Sequence, residues 1–346
     1  MSKEQRLIAF IRLGNFFAAH IKGEKITGKE KFHDELTKIT QEQFHYNGWF
    51  TAKSMENAII GLARLLDEEE LSRFSERVST KEDKNIAVIM AGNIPAVGFH
   101  DLLCVLLSGH SILIKTSSDD NLLIPFICRF LIEIQPELQQ KIRFADGKLT
   151  DFDAVIATGN NNTAQQFEYY FSKYPRIIRK NRNSVALLSG NESTEDLLNL
   201  GKDIFSYFGL GCRNVSKIFV PKMYSFEKFF EAMFHYSEVA SHKKYFSNYE
   251  YHRTLFLLEK IEFLDNNFMI LRENNAYSSP VAVVHYERYE NLKSLESEIN
   301  ANRDRIQCLV GNINLPGIIP FGSSQSPAVN QFADNIDTLS FLNMLG

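Results

Sequence analysis

Between Ile86 and Leu188 the chain alternates short apolar runs with helix-patterned stretches, and this alternation limits the fold more than any other feature. Ile86-Ala87-Val88-Ile89-Met90 is followed by a helical pattern over about 98–108. Ile112-Leu113-Ile114-Lys115 leads into another over 121–135, and Ile142-Arg143-Phe144 and Ala154-Val155-Ile156-Ala157 precede a third near 163–173. Val185-Ala186-Leu187-Leu188 closes the series. Runs that are apolar at successive positions must be covered on both faces, and short runs separated by helices imply a parallel sheet with helices on each side. The commonest use of such a sheet is nucleotide binding at the carboxyl ends of its strands.

After Gly190 the pattern restarts, with a helix over 194–207 and a strand ending at Val220. Aromatic-rich helices are predicted over about 225–272, then strand Val281-Ala282-Val283-Val284, a helix over 291–302 and a strand from Ile306 to Val310. The first 80 or so residues read as helices. Leu7, Ile8, Phe10, Ile11 and Leu13 share one face, Met55, Ile59, Leu62, Leu65 and Leu66 another, and Thr51 is placed as an N-cap. From Gly317 the tail is turn-rich and then polar. The expected fold class is α/β: two three-layer units with mostly parallel sheets and extra N-terminal helices. The expected domains are 1–188, N-terminal helices plus a Rossmann-like cofactor-binding domain; 189–318, a second α/β domain; and 319–346, a segment packing back on the body.

With 346 residues the chain is long enough for about two domains. A net charge of −4 gives no electrostatic case for nucleic acid or an anionic membrane. Four scattered cysteines fit a reducing cytoplasm better than a disulfide framework. The N-terminus does not read as a signal peptide, and no apolar run reaches the roughly 20 residues that span a bilayer. The 28 phenylalanines and 13 tyrosines suit a bulky core or an apolar channel, the core being the commoner use.

The chemistry-bearing segments lie at turns. Cys104, Cys128 and Cys308 sit in apolar runs and read as small buried hydrophobes. Cys212 lies in Phe208-Gly209-Leu210-Gly211-Cys212-Arg213-Asn214, with glycines that allow close ligand approach and a cation that favours the thiolate. A tight turn with an incidental cysteine is the plainer alternative. Three strand ends precede it: Ala91-Gly92-Asn93-Ile94-Pro95, Ile114-Lys115-Thr116-Ser117-Ser118, and Ala157-Thr158-Gly159-Asn160, the last suited to holding phosphate on backbone N–H groups. His100, ahead of Asp101, reads as a cap or surface residue. No Walker A loop, G-x-G-x-x-G, H-E-x-x-H or paired C-x-x-C occurs, and the nine histidines show no metal-ligand spacing, so no metal is expected.

In this order the four segments resemble the aldehyde dehydrogenase superfamily, and within it the LuxC-type fatty acyl-CoA reductases. The likeness runs from about Ile86 to the end and includes Gly92-Asn93-Ile94-Pro95, Leu107 to Lys115, Gly211-Cys212-Arg213-Asn214 and Pro320-Phe321-Gly322-Ser323-Ser324. The resemblance implies an aldehyde dehydrogenase-like fold with Cys212 as nucleophile in the 189–318 domain. It implies that the Asn93 amide and the Cys212 N–H form the oxyanion hole. It assigns Lys115 to the adenosine ribose, with Ser117 and Ser118 beside it, and Thr158, Gly159 and Asn160 to the cofactor pyrophosphate.

Departures from the family pattern sharpen this. Ser118 stands where many members carry a ribose-gripping glutamate, which favours NADPH, although Asp119 and Asp120 keep NADH open. No Asp or Glu occurs between Glu168 and Glu192, where hydrolytic members carry the base that activates water. Without it water attack on a thioester is slow, and coenzyme A fits better as co-substrate. Lys173, Arg176, Arg179, Lys180 and Arg182 form a basic cluster, read either as phosphate contacts or as a solvated face. The nicotinamide-ribose glutamate is not evident ahead of Ser279-Pro280-Val281, nor is an oligomerisation hairpin before Ile86. The resulting expectation is a cytoplasmic acyl-CoA reductase that makes an aldehyde with NADPH through a Cys-bound acyl group. The alternatives are a short-chain acylating aldehyde dehydrogenase and a non-catalytic accessory subunit. A homo-oligomer and a partner protein that transfers acyl groups both stay open.

Overall fold

The run that begins at Ile86 lies in the middle of a parallel sheet. The computed structural model describes residues 1–79 and 82–345. It divides into two units, residues 1–180 with 326–346 and residues 181–325. In the first, Asn85–Ile89 (β1), Ser111–Lys115 (β2), Ile142–Phe144 (β3), Ala154–Thr158 (β4) and Arg176–Arg179 (β5) pair in the order β3-β2-β1-β4-β5, all parallel. The order reverses between β1 and β4, so the loops leaving these two strands flank a switch point, where α/β sheets bind ligands.

Helices Lys3–Ile21 (α1), Glu30–Tyr46 (α2), Ala52–Leu65 (α3) and Glu68–Ser75 (α4) precede the sheet, and Phe99–Ser108 (α5), Leu123–Ile134 (α6) and Asn161–Tyr170 (α7) connect its strands. Strand alternation assigns the layers. Ile86 and Val88 pack into a large cluster with Phe10, Phe17, Leu103 and Phe130, while Ala87 faces the other way, with Val155, Ala157 and Phe167. Phenylalanines pack among the aliphatic side chains of the first cluster; Phe16 lies 4.4 Å from Phe130, ring centre to ring centre. Thr51 caps α3 through the Ser54 N–H, as the sequence predicts.

In the second unit, Asn183–Leu187 (β6), Val215–Pro221 (β7), Leu264–Asp265 (β8), Ile270–Glu273 (β9), Val283–Tyr289 (β10), Ile306–Gly311 (β11) and Ile318–Ile319 (β12) form a sheet of order β12-β11-β6-β7-β10-β9-β8. Among the described strands only β8 runs antiparallel to its neighbour. Thr194–Phe205 (α8), Glu227–Met233 (α9), Lys243–Leu258 (α10) and Leu292–Ala301 (α11) complete it. Val185, Leu187, Phe219 and Leu309 form one core layer with Leu295 and Ile299 of α11. The architecture is the α/β arrangement expected, with mostly parallel sheets and N-terminal helices.

Three local expectations are corrected. The region predicted as helices over 225–272 also contains β8 and β9. The tail is not merely polar: Thr338–Asn343 (α12) rejoins the first unit, where Val329, Phe332, Leu339 and Leu342 are buried. The basic cluster is neither a phosphate site nor a solvated face at its centre, because Arg176 and Arg179 are the ends of β5. Arg176 pairs with Glu168 at 2.7 Å, and Arg179, buried, forks onto the Asp101 carboxylate and donates to Thr338 Oγ1 at 2.8 Å. An arginine in this position is held for its charge pair, not offered to a ligand. No described helix is long and apolar enough to cross a membrane.

Candidate active site

Cys212 is the only one of the four cysteines that is not buried. Burial pushes the Cys104 thiol well above the ordinary range and the Cys128 thiol up to about 12, so neither supplies a thiolate at neutral pH. The Cys212 loop enters β7 and lies at the amino-terminal edge of the second sheet.

Its shape comes from one buried side chain. Asn214 Oδ1 accepts the Gly211 N–H at 2.8 Å, while Nδ2 donates to the carbonyls of Asp203 (3.0 Å), Ile204 (3.3 Å) and Ser206 (2.8 Å). The last carbonyls of a helix have no partner within it, and here Asn214 supplies one to the end of α8. Ser184 Oγ, on β6, donates to the Cys212 carbonyl at 3.0 Å. Both sides of the cysteine are therefore fixed by hydrogen bonds.

Asp203 fastens a second loop to the same helix end. Its fully buried carboxylate accepts the N–H groups of Gly322 at 2.6 Å and Ser324 at 3.0 Å. Burial raises the Asp203 carboxyl while these donors hold it down. Arg213 closes the arrangement, donating to Cys308 Sγ at 3.1 Å and to the Ser324 carbonyl at 3.4 Å. Cys308 is thus buried as expected but also meets a cation. Ser184, Asp203 and Ser324 were not singled out as site residues; Ser324 at least lies in the quoted Pro320-Phe321-Gly322-Ser323-Ser324 stretch.

The first unit gathers the remaining sequence candidates at the carboxyl ends of its strands. Lys115, exposed, pairs in register with Ile89, which pairs with Ala157. Its ammonium donates to the Gly147 carbonyl at 3.0 Å. Asn93 is exposed in the loop after β1. That loop packs tightly on the one after β2: a Cβ on Gly92 would lie 2.5 Å from Ser117 Oγ. Asp120 joins them, with Oδ2 accepting the Ala96 N–H at 2.7 Å and Oδ1 buried without a partner. Burial pushes this carboxyl up to about 6. Ser118 and Asp119 remain exposed. After β4, Asn160 caps α7 with its own side chain, accepting the Thr163 N–H at 2.9 Å. Gly159 lets Thr163 and Phe167 close on the turn, since a Cβ there would meet them at 3.0 and 3.3 Å. Lys115, Ser118 and Asn160 are exposed hydrogen-bonding residues at this edge. His100 is not a surface residue: its ring bonds the Val329 carbonyl at 2.7 Å.

A family model described as acyl-CoA reductase (LuxC) matches residues 24–227. Among solved structures, an aldehyde dehydrogenase of Physcomitrella patens in complex with succinate aligns over 100% of this chain and 84% of its own, with TM-score 0.67 and 11% identity. An indole-3-acetaldehyde dehydrogenase of P. syringae, with NAD+ and IAA, aligns over 91% and 73%, with TM-score 0.64 and 12% identity. An NADP-dependent enzyme of E. coli aligns over 92% and 78%, with TM-score 0.61 and 13% identity. No curated protein matches the chain.

Proposed function

The chain belongs to the LuxC family of acyl-CoA reductases, an oxidoreductase family, and from that premise we propose that it reduces a fatty acyl-CoA to an aldehyde through an acyl group carried on Cys212. The observation that carries this reading is the loop itself: the least buried cysteine stands in a peptide held on both sides, by Asn214 at Gly211 and by Ser184 at its own carbonyl.

In this account the Cys212 thiolate attacks the thioester carbon. A bond forms from Sγ to that carbon, the bond to the coenzyme A sulfur breaks, and coenzyme A departs as its thiolate and takes a proton from solvent. Splitting the reaction at a covalent intermediate replaces one hard step by two easier ones. Donors held still at the carbonyl oxygen, the Cys212 N–H in this proposal, stabilise the developing negative charge; one such donor is typically worth ~2.7–4 kcal/mol of barrier. Asn93 keeps the oxyanion role that the resemblance gives it. The acid-free stretch from Tyr169 to Asn191 supports resolution of the acyl group by something other than water.

Lys115, Ser117, Ser118, Thr158, Gly159 and Asn160 are the residues proposed to hold a nicotinamide dinucleotide. When bound, the reduced cofactor supplies the hydride that turns the thioester into an aldehyde-level adduct. Expulsion of the aldehyde returns Cys212 to its thiolate. Ser118, rather than a carboxylate, favours NADPH over NADH.

The test is coupled measurement of aldehyde and free thiol from an acyl-CoA with NADPH or NADH. Wild-type protein should release both in equal amounts, and Cys212→Ala neither. Aldehyde formation by the alanine variant would sink the covalent reading.

A further inference from the structure

Directly beneath the Cys212 loop, inside the second unit, lies a cavity of about 50 Å³. Gly209 and Gly211 line it, with Phe205, Tyr245, Met269 and Val283 among its apolar residues. No charged side chain lines it. Gly211, the residue before Cys212, is part of its lining.

Two strained segments border this cavity. Tyr207, Phe208 and Gly209 are consecutive left-handed residues, with φ of 51°, 57° and 79°. Across from them Ala282 has φ 65°. Residues with a side chain adopt this conformation only where their surroundings enforce it, and such positions concentrate at ligand clamps and switches. Here the strain aims the Phe208 ring at α10, 4.3 Å from His242 and 6.2 Å from Tyr245, centre to centre. Phe208 is half-buried and lines the cavity.

We infer that this cavity receives the acyl chain and that Phe208 sets how long a chain it takes. The inference rests on the acyl-CoA reading above. The walls are uncharged and mainly aliphatic and aromatic, with Asn183, Asn214, Ser216 and Ser279 as the polar residues among them, and with no cation for a phosphate they suit a hydrocarbon better. Its open volume amounts to only a few water-sized positions, at about 10–15 Å³ each, far short of a long acyl chain. A longer chain therefore requires the Phe208 ring to give way, and that ring is the large side chain that the strained 207–209 loop places in the lining.

Two substitutions at this half-buried position act in opposite directions. Phe208→Gly removes the ring and relieves the left-handed strain; Phe208→Trp enlarges the wall. The readout is the kcat/KM ratio for tetradecanoyl-CoA over butanoyl-CoA, with intact-mass detection of acylated Cys212. A hydrophobic pocket discriminates about tenfold or more per chain element. Phe208→Gly should thus raise the ratio about tenfold and Phe208→Trp lower it similarly. If the glycine variant does not fold, Phe208→Leu should raise the ratio in its place. Ratios unchanged within about twofold, with Cys212 still acylated, would overturn the pocket alone. A wild-type protein that no acyl-CoA acylates would overturn the acyl-CoA reading and this inference with it.

Discussion

Asn214 Oδ1 holds the Gly211 N–H at 2.8 Å, one residue before the proposed nucleophile, while the same side chain's Nδ2 ties off three carbonyls at the end of α8. One buried amide thus couples the helix terminus to the cysteine loop. Asn214→Ala leaves these groups without a partner. Each buried polar group so stranded costs about 1–3 kcal/mol. The variant should unfold at lower urea concentration and lose kcat more than it raises KM. Asn214→Asp should be worse than a neutral replacement, because its carboxylate would face three carbonyl oxygens. Urea titration and steady-state kinetics check both; an unchanged kcat in a folded Asn214→Ala would show that the amide does not set the loop's chemistry.

Asp120 makes stability depend on pH in a direction opposite to most carboxylates. Its folded-state value, about 6, lies above the ordinary 3.8. The folded protein therefore binds the proton more tightly, and the group's favourable contribution is full below pH 3.8 and is lost as pH rises through about 6. A tenfold change in proton affinity is worth about 1.4 kcal/mol, so the ionised group opposes folding by up to about 3 kcal/mol at neutral pH. Asp120→Asn should raise the melting temperature at pH 8 and leave it near wild type at pH 4. An equal shift at both pH values would refute this assignment.

His20 and His33 form the converse case. Their Nδ1 atoms are 3.1 Å apart, and His33 Nε2 accepts the Ile26 N–H at 3.2 Å. The His33 proton therefore sits on Nδ1 and is given to His20, and neither ring can gain a proton without losing a bond. Burial lowers both rings from 6.5. Their contribution is present above pH 6.5 and is lost as pH falls below it. Hydrogen-exchange protection at the α1–α2 turn, taken relative to the intrinsic rate at each pH, should fall between pH 7 and 5 in wild type, and His33→Phe should flatten that dependence. Equal pH profiles in the two proteins would contradict the pairing.

Arg179 and Asp101 bind the C-terminal segment to the first unit through Thr338. Arg179→Ala leaves the buried Asp101 carboxylate unpaired, a change worth about 3–5 kcal/mol. Replacing both partners by Leu should recover much of this, since no buried charge then remains. Urea midpoints of the single and double variants decide it; a double variant no better than the single would show that the pair is more than a charge balance.

These contacts mark where the sequence was readable. The first sheet was legible because Ile86 to Met90 and Ile112 to Ile114 are short, continuously apolar runs separated by helix-patterned stretches. Strand β5 was not: two isoleucines between Arg176 and Arg179 look like a basic loop until Glu168 and Asp101 are seen to take the charges. The partner of Arg179 is 78 residues away, and no local pattern records it. The cysteine loop was legible from its flanking glycines. Asp203 was invisible, being one more helix carboxylate whose partners lie 119 and 121 residues later. The left-handed pair Tyr207 and Phe208 carried no signal either, because turns at positive φ ordinarily announce themselves with glycine or asparagine.

The central claim is that Cys212 carries the acyl group, and intact-mass spectrometry after mixing the protein with tetradecanoyl-CoA in the absence of any reductant tests it most directly. The account predicts one added acyl group, mapped to the Cys212 peptide and absent from Cys212→Ala. It also predicts that the adduct survives in water and disappears on addition of NADPH or coenzyme A. An unmodified Cys212, or an acyl group found instead on Cys308, would contradict it.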